Sequence, residues 1–321
     1  MTVRAIAAWG ERRQVPLYVG SIVVGAVVGL LLPWMASSLE SSINPLLGVL
    51  LFVTFLGVPF TAIGRAFSDW RFLGTVLVLN FVAVPAVVFL LSRVVADDRA
   101  ILLGVLLVLL TPCVDYVIVF TGLAGGDRSR LLAATPLLML LQILLLPLSL
   151  TVMIGPATTG ALDARPFVDA FLLLIVLPLG LAALTQLLGA RFPAVRVVER
   201  GAAAAMVPLM MLTLATVVAS QVFAVGGSLG QLLVTIPLFL AFAAIIAPLG
   251  ALVARIARLD APGRRAVVFS GVTRNSLVVL PLALALPEEF ALTPLVVVTQ
   301  TLVELIVMVV MVAVVPRAIR P

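Results

Sequence analysis

Histidine and lysine are both absent from the 321 residues, and cysteine occurs once, at Cys113. Without histidine there is no imidazole general base, no Ser-His triad and no imidazole metal ligand. A single cysteine forms no intrachain disulfide, so thiol usage says nothing about redox compartment. Charge is scarce too: Asp, Glu, Lys and Arg make up 11% of the chain, against 63% hydrophobic residues. With a mean hydropathy of +1.31, the composition lies far from the roughly half-apolar makeup of soluble domains. Apolar runs near the roughly 20 residues needed to span a bilayer recur along the whole length, separated by segments too short to fold alone. The sequence predicts one all-α integral membrane domain over residues 1–321 and no cofactor.

What charge there is carries topology. All 20 basic residues are arginine, and the net charge is +6. In a membrane protein, arginine excess marks cytoplasmic loops, a simpler reading than a nucleic-acid footprint. Ten candidate spans fall at 15–36, 43–64, 70–92, 100–124, 131–154, 167–188, 203–222, 231–254, 265–286 and 294–316. The first is too long for a secretory signal core and reads as a transmembrane helix. With the first tail in the cytoplasm, sixteen arginines lie on that side, among them Arg12, Arg71, Arg130, Arg196, Arg265 and Arg320. Only Arg93, Arg99 and Arg165 lie opposite, and Arg274 lies within a span. That asymmetry and the even span count predict that both termini are cytoplasmic.

A shift of about 160 residues carries the second to fifth spans onto the seventh to tenth. The chain thus reads as two five-span repeats, about 15–154 and 167–316. Because five is odd, the second repeat enters from the opposite side, the inverted arrangement of many secondary transporters. The fourth span is interrupted by Thr111-Pro112-Cys113-Val114-Asp115-Tyr116, and the same shift lands on Val272-Thr273-Arg274-Asn275-Ser276 in the ninth. Proline cannot continue a helix, and paired interruptions point to a midplane site where broken ends expose amides, carbonyls and dipoles.

Three ionisable residues lie deep in spans: Asp115, Arg274 and Glu304. Charges there normally pair, so Asp115 with Arg274 is an expected ion pair; a static pair that merely locks helices is the plainer alternative. Gln300 and Thr301 share a helical face with Glu304, and Gln142 occupies nearly the same place in the first repeat. Two acids and one arginine leave a spare negative charge, suited to a coupling proton or cation. Cys113, after Pro112 at the start of an expected half-helix, would be favoured as thiolate and as a ligand for soft species. Asn275 and Ser276 supply further polar contacts. Asn80, Thr111 and Thr121 either line the same cavity or bond their own helices. Gly25 and Gly29 form a GxxxG packing pair, while Gly122, Gly125 and Gly126 read as a cap and turn.

Pro112-Cys113-Val114-Asp115, followed by Val119-Phe120-Thr121-Gly122-Leu123-Ala124-Gly125-Gly126-Asp127, then Arg274-Asn275-Ser276 and Glu304, resemble the arsenite permeases of the arsenical-resistance-3 family. That family lies within the superfamily of the bile acid:sodium symporters. The resemblance implies ten helices in the plasma membrane, with broken and crossed fourth and ninth helices in a core domain and a smaller panel domain. It implies export of trivalent arsenite against protons, with Cys113 contacting the metalloid and Glu304 essential beside it. Asp115 and Arg274 depart from the family pattern, which has a small and an uncharged residue there.

Other functions remain to be weighed. Sodium-coupled import of an organic anion would use Arg274 to bind a carboxylate or sulfonate. An intramembrane protease lacks support, since the chain has no GxGD, no HExxH and no histidine. A passive channel or sensor would not need paired helix breaks.

Overall fold

The computed structural model describes residues 14–57, 69–114, 116–154, 172–189, 191–192, 195–227 and 229–320. Among these, every regular element is helical. The first seven α-helices are α1 (Gln14–Leu31), α2 (Ala36–Gly57), α3 (Trp70–Val78), α4 (Val84–Ser92), α5 (Arg99–Leu109), α6 (Tyr116–Leu123) and α7 (Arg128–Ile154). The remainder are α8 (Leu177–Gly189), α9 (Val195–Gly227), α10 (Leu229–Leu232), α11 (Thr235–Ile256), α12 (Ala261–Val272), α13 (Ser276–Leu284) and α14 (Leu292–Ala318).

Six helical stretches among the described residues are long and apolar enough to cross a membrane: Pro33–Gly57, Trp70–Val95, Leu137–Ile154, Ala204–Phe223, Gly230–Ile256 and Glu288–Ala318. Two of the expected spans fall short because each is divided. Residues 100–124 form α5 and α6, and residues 265–286 fall in α12 and α13. The first span ends at Leu31 instead of 36, since Pro33 disfavours helix in the residue before it. The second begins at Ala36 instead of 43: the serine-rich stretch that reads as a loop is helical, with Ser41 and Ser42 hydroxyls bonding the Ser38 and Leu39 carbonyls.

The chain forms two compact units, Met1–Gly57 with Ala164–Leu229, and Val58–Asp163 with Gly230–Pro321. In the first unit α1 packs on α9 through Gly25 and Gly29. A Cβ on Gly25 would stand 2.5 Å from the Ala215 carbonyl oxygen, and one on Gly29 would strike Ala219. The GxxxG spacing therefore does what it predicts, letting backbones approach where lipid supplies no hydrophobic drive.

In the second unit α5 is buried on every side from Ala100 to Leu109, so it is enclosed by protein instead of facing lipid. A π-helical stretch, Leu79–Ala83, joins α3 to α4 just before Pro85, whose missing amide breaks the regular ladder. At one end of this unit Arg130 meets three carboxylates, Asp69 at 3.1 Å, Asp127 at 3.2 Å and Asp260 at 2.6 Å. At the end of α6 Gly125 takes φ +64°, and the Gly126 amide bonds the Thr121 carbonyl, so this glycine run is indeed a helix cap. Arg265 donates to the Ala124 and Gly125 carbonyls there and to Ile319 and Pro316 at the end of α14. Loops assigned to one side by their arginines thus meet in space.

Candidate functional site

Between α5 and α6, and again between α12 and α13, the helix stops and the chain runs extended. The two breaks lie antiparallel: the Cys113 amide donates to the Thr273 carbonyl at 3.2 Å, and the Asn275 amide donates to the Thr111 carbonyl at 2.8 Å. These bonds flank the pair Pro112 and Arg274, which is therefore the pair whose own amides and carbonyls the ladder does not use. Proline has no amide to lose there, so Pro112 breaks α5 without weakening the bridge.

Arg274 uses its spare backbone groups elsewhere. Its amide donates to Glu304 Oε2 at 2.8 Å, and its carbonyl lies 3.0 Å from the Tyr116 hydroxyl. That hydroxyl is also 2.5 Å from Glu304 Oε1, and the Gln300 side-chain amide donates to Glu304 Oε2. Glu304 is 4% exposed. Burying a carboxylate is tolerated only with such donors, and three converge on it here. A small cavity beside Glu304 is lined by Leu109, Phe239, Phe242, Val272 and Gln300.

Two consecutive peptide groups of the second break thereby become relays. The Thr273–Arg274 peptide accepts from the Cys113 amide and donates to Glu304. The next peptide has its carbonyl at Tyr116 and donates to Thr111. One polarisable amide thus lies between the Cys113 backbone amide and the Glu304 carboxylate.

The Arg274 guanidinium is fully buried and makes no ion pair among the described residues. Its Nη2 lies 2.7 Å from Asn80 Oδ1, 2.7 Å from the Ser270 carbonyl and 2.5 Å from that of Gly271, and its Nη1 lies 3.3 Å from the Leu109 carbonyl. The expected partner Asp115 lies outside the described residues. Cys113 is fully buried. It precedes the described start of α6 at Tyr116 by three residues, and its amide is committed across the bridge.

Asn275 caps α13 by accepting from the Val278 amide at 3.3 Å, and its Nδ2, like Ser276 Oγ, is buried without a hydrogen-bond partner among the described residues. Gln142 is buried in α7 with Oε1 unpartnered, and no described hydrogen bond joins it to the bridge. Thr301 and Thr111 bond carbonyls of their own helices, whereas Asn80 reaches across to Ser270 and Arg274. Two residues of the site have no role assigned from the sequence: Tyr116, the last residue of the first interruption, and Met308, whose sulfur accepts from the Thr273 hydroxyl at 3.2 Å.

The family model described as the sodium bile acid symporter family matches residues 44–227, more than half of the chain. The chain belongs to that family. It is a multi-pass membrane protein and a secondary transporter that moves a small substrate with a coupling ion, and it is not an enzyme. The matched stretch contains the first break with Cys113 and ends before the second. No individually curated protein matches the sequence significantly.

Proposed function

We propose that this member of the sodium bile acid symporter family exports arsenite or a related trivalent metalloid by proton antiport through alternating access. Its fold is ten transmembrane helices in two inverted repeats, the fourth and ninth of them broken, in the plasma membrane with both termini cytoplasmic. The observation that carries the reading is the single peptide group between the Cys113 backbone amide and Glu304, which ties the backbone of the only cysteine to a buried carboxylate. The thiol displaces one hydroxyl of neutral arsenite, forming an arsenic–sulfur bond and releasing water with the thiol proton. One such bond is weak and reversible, as a carrier requires, and the Met308 sulfur on Thr273 adds a second soft atom at the break.

Glu304 carries the coupling proton, with Asp115 as the second acid of the break. Tyr116 has one hydroxyl proton and two acceptors in reach. With Glu304 charged, Tyr116 donates to it. With Glu304 protonated, the carboxyl donates to Tyr116, and Tyr116 turns its proton to the Arg274 carbonyl. Loading a proton thereby changes the bonding between the two breaks. Cys113 has no exposure in this conformation, which supports a cycle in which the breaks move to give access to either side. Asn275, Ser276 and Gln142 contribute polar groups to the substrate path.

Metalloid uptake into inverted vesicles tests the proposal. Cys113→Ala should abolish uptake, and collapsing the pH gradient should stop accumulation; unchanged uptake in either case refutes it. The family's description favours a second reading, sodium-coupled import of an organic anion. Sodium-dependent uptake that survives Cys113→Ala would select it.

A further inference from the structure

The guanidinium of Arg274 occupies a cradle that the two breaks create. A helix carbonyl normally accepts from the amide four residues on. For Leu109, Ser270 and Gly271 those amides belong to Cys113, Arg274 and Asn275, which donate instead to Thr273, Glu304 and Thr111. Three helix-end carbonyls are left without their ladder donors, and all three accept from Arg274, at 3.3, 2.7 and 2.5 Å. The fourth oxygen is Asn80 Oδ1, aimed by its own amide, which donates to the Val76 carbonyl and to Ser270 Oγ, each at 3.0 Å. The Phe242 ring adds its face 5.7 Å from the guanidinium carbon.

Three carbonyl oxygens at the negative ends of α5 and α12 and the Asn80 amide oxygen, with no carboxylate among them, form the kind of set that binds a weakly hydrated or dehydrated monovalent cation. We infer that Arg274 is a tethered cation: its side chain permanently fills a monovalent-cation site formed by Leu109, Ser270, Gly271 and Asn80. The site is thus withheld from ions in solution, and a neutral residue at 274 opens it to them. The charge also holds the carbonyl ends of the two broken helices together. This goes beyond the transport reading and does not depend on the identity of the substrate.

Thermal unfolding of the purified full chain in detergent tests it, with guanidinium chloride at sub-denaturing concentration, sodium chloride or N-methylglucamine chloride at matched ionic strength. Arg274→Ala should unfold at a lower temperature than the parent, and guanidinium and sodium should each return about 3 °C or more, with no return from N-methylglucamine. Arg274→Gln, close in length and neutral, should respond the same way and serves where the alanine variant fails to accumulate. The parent and Arg274→Lys, whose charge stays in place, should respond to none of the three. Neutral variants as stable as the parent would overturn the inference, as would destabilised ones that no cation restores.

Discussion

Replacing Glu304 by glutamine or alanine separates the geometry of the bridge from its charge. In Glu304→Gln the amide oxygen takes the place of Oε2 and accepts from the Arg274 amide and from Gln300, as the carboxylate does. The amide nitrogen takes the place of Oε1 and donates to the Tyr116 oxygen, which turns its proton to the Arg274 carbonyl 3.0 Å away. Every group that bonds Glu304 keeps a partner, and the side chain mimics the protonated acid. Glu304→Ala leaves the Arg274 amide and the Gln300 amide without acceptors. At about 1–3 kcal/mol for each buried donor, plus a cavity where one methylene and a carboxyl stood, the loss is about 3–6 kcal/mol.

The assays are thermal unfolding in detergent and metalloid uptake in inverted vesicles. Glu304→Gln should unfold within a few degrees of the parent, whereas Glu304→Ala should fall by about 6–15 °C at the few degrees per kcal/mol of a domain this size. Both should lose uptake driven by a pH gradient, because neither cycles a proton. A glutamine variant as unstable as the alanine one would refute the hydrogen-bond reversal, and one that still accumulates metalloid under a gradient would refute the coupling role.

Further outcomes follow from other contacts. Tyr116→Phe removes the hydroxyl link from carboxylate to backbone and should cut gradient-driven uptake about tenfold or more, the equivalent of one charge-assisted hydrogen bond, while metalloid binding, read by isothermal titration, persists. Gly25→Val must push α1 from Ala215 and should destabilise by about 1–3 kcal/mol, whereas Gly20→Val on the same helix, with nothing within 4 Å of its Cβ, should be silent in the same unfolding assay. Arg130→Ala, whose three partners lie in a half-exposed cluster, should cost about 1 kcal/mol or less. Arg265→Ala, which uncaps the carbonyl ends of α6 and α14, should cost more in unfolding temperature than Arg130→Ala.

The sequence exposes the breaks because proline and a polar pentapeptide are costly in a bilayer, and it exposes the GxxxG contact because spacing alone sets a helix face. It hides what depends on register. That Cys113 faces Thr273 follows from a shift of 160 residues, but that Pro112 and Arg274 are the pair left out of the ladder follows only from the bonds on either side of them. Tyr116 reaches Glu304 from 188 positions away, and no local pattern links the two. The serines of α2 mislead for a related reason: their hydroxyls bond carbonyls within the helix, so polarity there marks no loop.

Register also explains how one residue does two jobs. The backbone of Arg274 holds Glu304 and Tyr116, while its side chain turns to carbonyls of α5 and α12 and to Asn80. A ladder pair in the hydrogen-bonded register would have spent that backbone on the partner strand, leaving the carboxylate short of a donor. Moving the bridge by one residue would place Cys113 in the unused register instead and cut the peptide relay to Glu304. The proline therefore fixes more than the end of α5: having no amide, it can occupy only the unused position, and so it selects the register in which one peptide joins the Cys113 amide to the Glu304 carboxylate.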